Sequence, residues 1–430
     1  MIPDSHSKIA IDFTDDQLTG TGGLVFVADL ARRLNLSGRL SDQVKVKRRQ
    51  RGCRDHEMLM SLIYSFCCGN GHLSDIDALT CDTTACRLLD VKRLPNSRRL
   101  GEYLSGFTES GLQGLLQVSR AVCQQVAPAV IDDHVSRLGY VPVFMDGSAV
   151  EVSGRLFEGA NKGYNGEYQY WLHGVFVGGT WVSARLHEGG VGVTVGWQEQ
   201  LENDVAPLLN DDTPVWLGMD NAYYNKDVIH YCQDKAWDYS VSLTDRRKRQ
   251  PVLEQIEGLR DDAWHDIGMG ESATFAYYQP HGWRTRQAYV VIRKLYEGRQ
   301  KMIQPAYTVI LVSDDQLPIA ELVKRHRAKQ GHENAFKGPL IDLDLHHPPC
   351  RKLMANQAFY LCGQIAQVLL RAVQYQYLPT AARQHGIRQI IRYLIRTVAK
   401  LTRSARRWTL KFSKQLFRLD WLIYASYKLE

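Results

Sequence analysis

The chain has 430 residues, with 53 Lys plus Arg against 46 Asp plus Glu for a formal charge of +7, and 44% of it is hydrophobic. Those proportions are ordinary for a globular protein and exclude a largely disordered, collagenous or disulfide-scaffold chain. The length predicts about two to four domains, and the sequence holds no run of about 18 apolar residues that would span a membrane.

The start, Met1-Ile2-Pro3-Asp4, carries neither the basic residues nor the apolar stretch of a secretory signal. The nine cysteines are scattered, with one adjacent pair at Cys67 and Cys68 and no C-x-x-C. Neither a zinc ribbon nor a thioredoxin-like motif is therefore expected, and the thiols read as reduced, mostly buried and intracellular.

Residues 1–135 read mainly as helix. Apolar residues recur at helical spacing over Gly23–Leu34, Glu57–Phe66 and Gly111–Val126. A basic cluster of Lys45, Lys47, Arg48, Arg49, Arg51 and Arg54 lies between the first two. Leu94 to Leu104 reads as a helix start, a polar cap followed by the apolar period, with Arg98 and Arg99 in the first turn. A helical DNA-binding domain suits this region; a structural bundle is the rival.

The pattern changes over residues 136–244. Val141–Met145 is a short apolar run ending in Asp146, and Pro214–Met219 is a second ending in Asp220. Between them, Tyr168 to Leu186 alternates in β fashion and breaks at Gly178-Gly179, a hairpin signal. A helix pattern over Asn225–Ala236 and a strand over Asp238–Leu243 follow, predicting a mixed α/β sheet. Residues 245–315 interrupt this layout with a helix over Val252–Leu259 and three β-rich runs, Ser272–Tyr278, Thr285–Arg293 and Tyr307–Val312. They read as a small antiparallel insertion. Helix returns over 316–377, first from Ile319 past Glu333 and then from Asn356 to Tyr375.

Residues 378–430 form a basic segment. From Arg371 to Glu430 there are 13 basic and two acidic residues, leaving 40 basic against 44 acidic in the rest. Ile387, Ile390, Ile391, Leu394, Ile395, Val398 and Leu401 make an apolar stripe at helical spacing. Arg388, Arg392, Arg396 and Lys400 form a ladder on another face. Beyond Arg406, the sequence from Arg407 to Phe412 alternates as a strand. Two basic zones flanking a mildly acidic middle suit a polyanion; solvated faces are the alternative.

Three acids carry the candidate chemistry. Asp146 and Asp220 end strand runs, and open α/β sheets bind ligands beyond strand ends; a helix cap or turn Asp is the alternative. Glu333 lies on a helix where Arg325, Lys329, Glu333 and Lys337 fall at four-residue steps. The bland reading is a salt-bridge ladder worth about 0.2–0.5 kcal/mol per pair. The functional one is a metal-ligating Glu among cations that hold phosphates. Hard divalent cations prefer carboxylate oxygens. Three carboxylates can hold two such ions about 3.5–4 Å apart, one activating a water or 3′-hydroxyl and the other stabilising the leaving oxygen.

Three sequence blocks carry a family resemblance. They are Gly159-Ala160-Asn161-Lys162-Gly163-Tyr164-Asn165-Gly166-Glu167-Tyr168, then Leu217-Gly218-Met219-Asp220-Asn221-Ala222-Tyr223-Tyr224, then Gly331 to Lys337 with Asp342-Leu343-Asp344 and Met354-Ala355-Asn356-Gln357 after it. In this order they are similar to bacterial insertion-sequence transposases with a DDE triad. The resemblance, covering about residues 20 to 425, implies an α/β fold: a ribonuclease H-like mixed sheet with a β-strand insertion, preceded by a helical domain and followed by the basic segment. It implies catalysis by Asp146, Asp220 and Glu333. Asp146 would bridge two Mg²⁺ ions, Asp220 would ligate one and Glu333 the other, with Mn²⁺ able to substitute. The implied partners are double-stranded DNA, as terminal repeats and as target, and a second protomer in a homodimeric paired-end complex, with no membrane. The implied location is the cytoplasm of a bacterium, at the nucleoid.

Related transposases often carry Tyr seven residues before the Glu and Arg four before it. Here those positions are His326 and Lys329, and Lys cannot reproduce the bidentate fork of Arg. Lys337 follows the group's pattern. The DNA-contacting candidates are thus Arg325, His326, Lys329 and Lys337 near the triad, with Lys45, Lys47, Arg48, Arg49, Arg98, Arg99, Arg388, Arg392, Arg396, Arg406 and Arg407 outside it. The resemblance also implies that the insertion manages the cut DNA end, where Trp264 or Trp283 would stack on an unpaired base; core packing is the preferred alternative for both.

Other residues point less far. His346, His347 and Cys350 lack a recognised ligand spacing. Asp342 and Asp344 suit capping or surface pairing, and Glu151 and Glu158 are weaker accessory ligands. Gly159, Gly163 and Gly166 lack the Walker Lys-Ser/Thr. The rival functions are another two-metal nuclease of the same fold and a non-catalytic, transposase-derived DNA-binding protein.

Overall fold

The computed structural model describes residues 12–14, 16–49, 51–163, 165–294 and 305–429, with the backbone but not the side chains of residues 329–337. Seven helices precede the first long strand: α1 (Leu24–Arg33), α2 (Leu36–Gln43), α3 (Asp55–Cys67), α4 (Asp75–Cys81), α5 (Thr83–Leu88), α6 (Ser97–Leu104) and α7 (Glu109–Leu138). The start of α6 is made by Asn96, whose side chain accepts from the Arg99 amide at 3.0 Å. α7 runs well past the predicted Val126 and stops at Gly139, where φ is +82° and a side chain would be strained.

The main sheet, among the described residues, has ten strands: β2 (Val141–Glu151), β3 (Asn161–Lys162), β4 (Tyr168–Val177), β5 (Thr180–His187), β6 (Val215–Met219), β7 (Asp238–Leu243), β8 (His265–Gly268), β9 (Glu271–Tyr278), β10 (Gln287–Lys294) and β11 (Ala306–Val312). Their order is β3-β4-β2-β6-β7-β11-β10-β9-β8, with β5 also on β4. β2, β6 and β7 are parallel; β4 runs antiparallel to β2 and to β5. Between β5 and β6 lie α8 (Trp197–Gln200) and a π-turn (Leu201–Val205), and α9 (Lys226–Asp234) links β6 to β7.

Four expectations change. Asp146 lies inside β2 rather than at its end, because β4 goes on pairing with that strand as far as Glu151 opposite Gln169. The β-rich runs of 245–315 do not stand apart; β11 pairs antiparallel with the free edge of β7 and carries the sheet onward. The helix expected over Val252–Leu259 is α10 (Arg246–Leu253) plus a short turn to Ile256, started early by Asp245, which caps the Arg247 amide at 2.8 Å. The helical stripe from Ile387 also ends early. After α13 (Ile387–Ile390) and a π-turn to Ile395, the chain becomes β12 (Ala399–Ser404). There it is drawn into a small sheet between β1 (Leu18–Thr19) and β13 (Arg407–Phe412). Gly23 permits this crossing, since a Cβ there would lie 2.0 Å from the Leu394 carbonyl oxygen. α14 (Leu419–Ser426) ends the described chain.

Two long helices complete the fold. α11 (Ile319–Asp342) crosses one face of the sheet, and α12 (Leu353–Tyr377) is buried nearly all round. α12 joins the halves: Phe359 meets Phe66 edge-on at 4.9 Å, and Tyr377 donates to Asp29 at 2.5 Å. One apolar core consequently runs from Leu24 to Ala425. All nine thiols are free and seven are buried, as expected. Among the described residues no helix is long and apolar enough to cross a membrane.

α11 sorts the two faces of the sheet. Ile319, Leu322 and Val323 pack with Trp216, Val290, Ile292, Ile310 and Val312 in a cluster of their own. The alternate residues Leu217, Val291, Val309 and Leu311 belong to the main core, as period-2 strands require. The last turn of α11, at Gly338, Pro339 and Asp342, faces the β4–β5 turn Gly178-Gly179 across a cleft of about 420 Å³. The helix therefore travels from the β9–β11 side of the sheet toward β2 and β4.

Candidate active site

β2 and β6 pair from Val141 with Val215 to Phe144 with Gly218. The same register brings Asp146 level with Asp220, which follows β6 directly and keeps extended backbone (φ −88°, ψ −178°). The two acids thus sit on neighbouring strands about 4.8 Å apart, on the face that α11 covers, and both are half-buried. Asp146 Oδ1 accepts from the Gly147 amide at 2.8 Å. Asp220 Oδ1 accepts from the Ala222 amide at 2.9 Å and so caps the turn Asn221–Tyr223. Asn221 Oδ1 accepts from the amides of Thr244 and Asp245 at 3.1 and 3.3 Å, pinning that turn to the end of β7.

Tyr223, at the end of the turn, is buried against the other face of the sheet. Burial first, and then the charges of Asp146 and Asp220, push its phenol well above the ordinary range. It hydrogen-bonds His173 of β4, which stands opposite Gly147 in the ladder. Burial pushes the His173 imidazole down to about 4, so the ring is neutral at pH 7. Sequence reasoning missed this pair. Its only signal was a Tyr three residues after a strand-end Asp.

The third acid rides on α11. The backbone of residue 333 is helical, and the side chains of Lys329, Glu333 and Lys337 lie outside the described residues. Two turns before Glu333, His326 is braced on β7: its ring nitrogens lie 2.9 Å from Ser240 Oγ and Ser242 Oγ. Arg325 faces Tyr140 at 4.3 Å and Trp216 at 5.3 Å, pairs with Glu321 at 3.0 Å, and is 16% exposed. Both side chains are engaged with the sheet.

The remaining candidates separate by exposure. Arg48, Arg49, Arg98, Arg99, Arg388, Arg392, Arg396, Arg406 and Arg407 are exposed. Lys45 is exposed and reaches the Ser41 carbonyl, whereas Lys47 is half-buried and reaches that of Cys53. Arg406 and Arg407 stand at the tip of the β12–β13 ribbon. Trp283 is buried 5.1 Å from the Tyr224 ring, and Trp264 lies under the Arg293 guanidinium at 4.3 Å, so both pack. Glu158 caps α12 through the Leu353 amide at 3.2 Å, Glu151 accepts from Asn165 at 3.0 Å, Asp344 pairs with His72 at 3.4 Å, and Asp342 accepts the Arg388 amide at 3.2 Å.

Among the described residues no group of three or more His, Cys, Asp and Glu is placed to hold a metal. Asp146 and Asp220 supply two hard oxygen donors at one level, which suits a Mg²⁺-type ion, and the Glu333 side chain lies outside the described residues. No curated protein matched the chain. The family profile described as transposase DDE domain, group 1, matches residues 2–430. Covering essentially the whole sequence, that match shows that the chain belongs to this family of DDE transposases.

Proposed function

We propose that the protein is the transposase of a bacterial insertion sequence, cutting DNA at the ends of its element and joining the freed 3′-hydroxyls to target DNA. The observation that carries this reading is the levelling of Asp146 with Asp220 beneath α11. The strand order β5-β4-β2-β6-β7, antiparallel over the first three and parallel over the last three, supports a ribonuclease H-like core.

Helix arithmetic supports Glu333 as the third acid. Residue 333 is two turns beyond His326, an advance of about 10.5 Å. Two strand spacings, from β7 over β6 to β2, are about 9.6 Å. Crossing the strands at about a right angle, α11 would carry position 333 from above Ser240 to above the strand of Asp146, which supports the reading.

Asp146, Asp220 and Glu333 would hold two Mg²⁺ ions, with Mn²⁺ able to substitute; such ions, when bound, supply an activated nucleophile and stabilise the leaving oxygen. The protein's own part is positioning. Local backbone amides orient the two Asp carboxylates. His326 braces α11 on β7, and Lys329 and Lys337 are assigned to the phosphates beside the scissile bond. The exposed cations of residues 45–49 and 98–99, and those of the C-terminal segment, would bind duplex DNA through its phosphates. A homodimer would hold the two element ends together. The test is incubation with Mg²⁺ and DNA carrying the terminal repeats that flank the gene. Nicked ends and joined products support a transposase, nicking without joining indicates a nuclease, and binding alone indicates a non-catalytic protein.

A further inference from the structure

The β2–β6 ladder ends at Phe144 and Gly218, two residues short of each acid. Beyond that point a buried polar chain lies on the opposite face. Gln200 Nε2 donates to Ser183 Oγ at 2.8 Å and to the His173 carbonyl at 3.4 Å, which turns its Oε1 toward His173 Nδ1. Nδ1 is then the donor, and Nε2 accepts from the Tyr223 hydroxyl. Ser183 in turn donates to Asp204 Oδ2 at 2.5 Å. Asp204 is anchored by Arg185 at 2.6 Å and Arg120 at 2.7 Å. Tyr223, His173, Gln200, Ser183 and Asp204 are all buried.

These bonds form a path from one acid to the other. Asp146 is joined to Gly147, Gly147 is paired with His173, His173 is bonded to Tyr223, and Tyr223 ends the turn that Asp220 begins. We propose that Tyr223 and His173 are positioning residues, and that the chain from Tyr223 to Asp204 is a tether setting the separation of Asp220 from Asp146. The proposal rests on reading those two acids as metal-holding groups. Its consequence is selective. Mg²⁺ demands near-ideal octahedral geometry, whereas Ca²⁺ accepts looser arrangements. A slackened tether therefore weakens Mg²⁺ more than Ca²⁺.

The experiment titrates the full-length protein with Mg²⁺ alone and Ca²⁺ alone by calorimetry, and measures the Mg²⁺ dependence of end cleavage. Tyr223→Phe removes one hydroxyl and keeps the ring. Its expected result is a melting temperature lower by a few degrees, since His173 Nε2 loses its buried donor, and unchanged DNA binding, with Mg²⁺ affinity lower by about tenfold and Ca²⁺ affinity within about threefold. Half-maximal cleavage shifts to higher Mg²⁺ in step. His173→Gln, which can still accept from Tyr223, restores most of the affinity that His173→Leu loses. Ser183→Ala, which cuts the chain further out and leaves the acids and Tyr223 untouched, is the second variant should His173→Leu not fold; it is expected to lose Mg²⁺ affinity several-fold. Wild-type Mg²⁺ affinity in Tyr223→Phe, with the loss present in Asp220→Ala, overturns the tether and leaves the site reading intact. Unchanged Mg²⁺ affinity in both Asp146→Ala and Asp220→Ala overturns the site reading itself.

Discussion

Asp146 stands level with Asp220 across two parallel strands, though the two are far apart in sequence and neither belongs to the paired part of the β2–β6 ladder. The register of that ladder sets them level, and beyond its end the packing immediately around them keeps them so. That makes the neighbours of each acid sensitive positions.

Gly147 is the first such neighbour. A Cβ there would fall 2.4 Å from the Trp171 indole, and the indole is held by a 3.0 Å bond to the Val193 carbonyl. Gly147→Ala is expected to cost about 1–3 kcal/mol by overpacking and to slow cleavage by displacing Asp146. Urea denaturation and an end-cleavage assay check both. A wild-type midpoint would mean that Trp171 moves aside freely.

The neutral His173 predicts a pH signature. Its imidazole sits at about 4 in the fold, chiefly through burial, against about 6.5 in an unfolded chain. Between those values the unfolded chain binds a proton that the fold does not, so stability rises with pH. The contribution is complete above about pH 6.5 and is lost as the pH falls toward 4, a swing of up to about 3 kcal/mol. Burial lowers His134 and His187 as well, with the same sign. Melting temperature should be level from about pH 7 to 8 and decline below about pH 6, with a shallower decline in His173→Gln. Parallel curves for the two proteins would contradict the assignment.

The β12–β13 ribbon predicts a salt dependence. Arg403, Arg406 and Arg407 are exposed on it, and Trp408 is faced by Arg87 at 4.6 Å and Arg403 at 5.3 Å. If all three arginines contact phosphates, replacing them with Ala lowers the slope of log affinity against log salt by about 0.9 per contact, or about 2.7 in total. Filter binding over a salt series measures this. An unchanged slope would place the ribbon away from DNA.

The sequence made some elements plain and hid others for physical reasons. The hairpin at Gly178-Gly179, the strand Asp238–Leu243 and the capped helix start within Leu94–Leu104 follow from short-range patterns, and all form where expected. Asp146 looked like a strand end because apolar residues stop at Met145; the ladder with β4 continues regardless of side-chain polarity. The joining of β11 to β7 is a long-range pairing with no local signal. Ile387 to Leu401 has helical spacing, yet β1 and β13 capture its last residues as a strand. At the site, both Asp residues were legible as acids after apolar runs. Tyr223 and His173 were not, because 50 positions separate them and only the fold brings them together.

The central claim is that Asp146, Asp220 and Glu333 form one metal-dependent catalytic site. The most direct measurement is end cleavage and strand transfer with Mg²⁺ or Mn²⁺, comparing wild type with Asp146→Ala, Asp220→Ala and Glu333→Ala. The account predicts that wild type cuts and joins, while each variant folds and binds the ends but does neither. Full cleavage by any one variant would remove that acid from the site, and a wild type inert on verified ends would contradict the catalytic reading altogether.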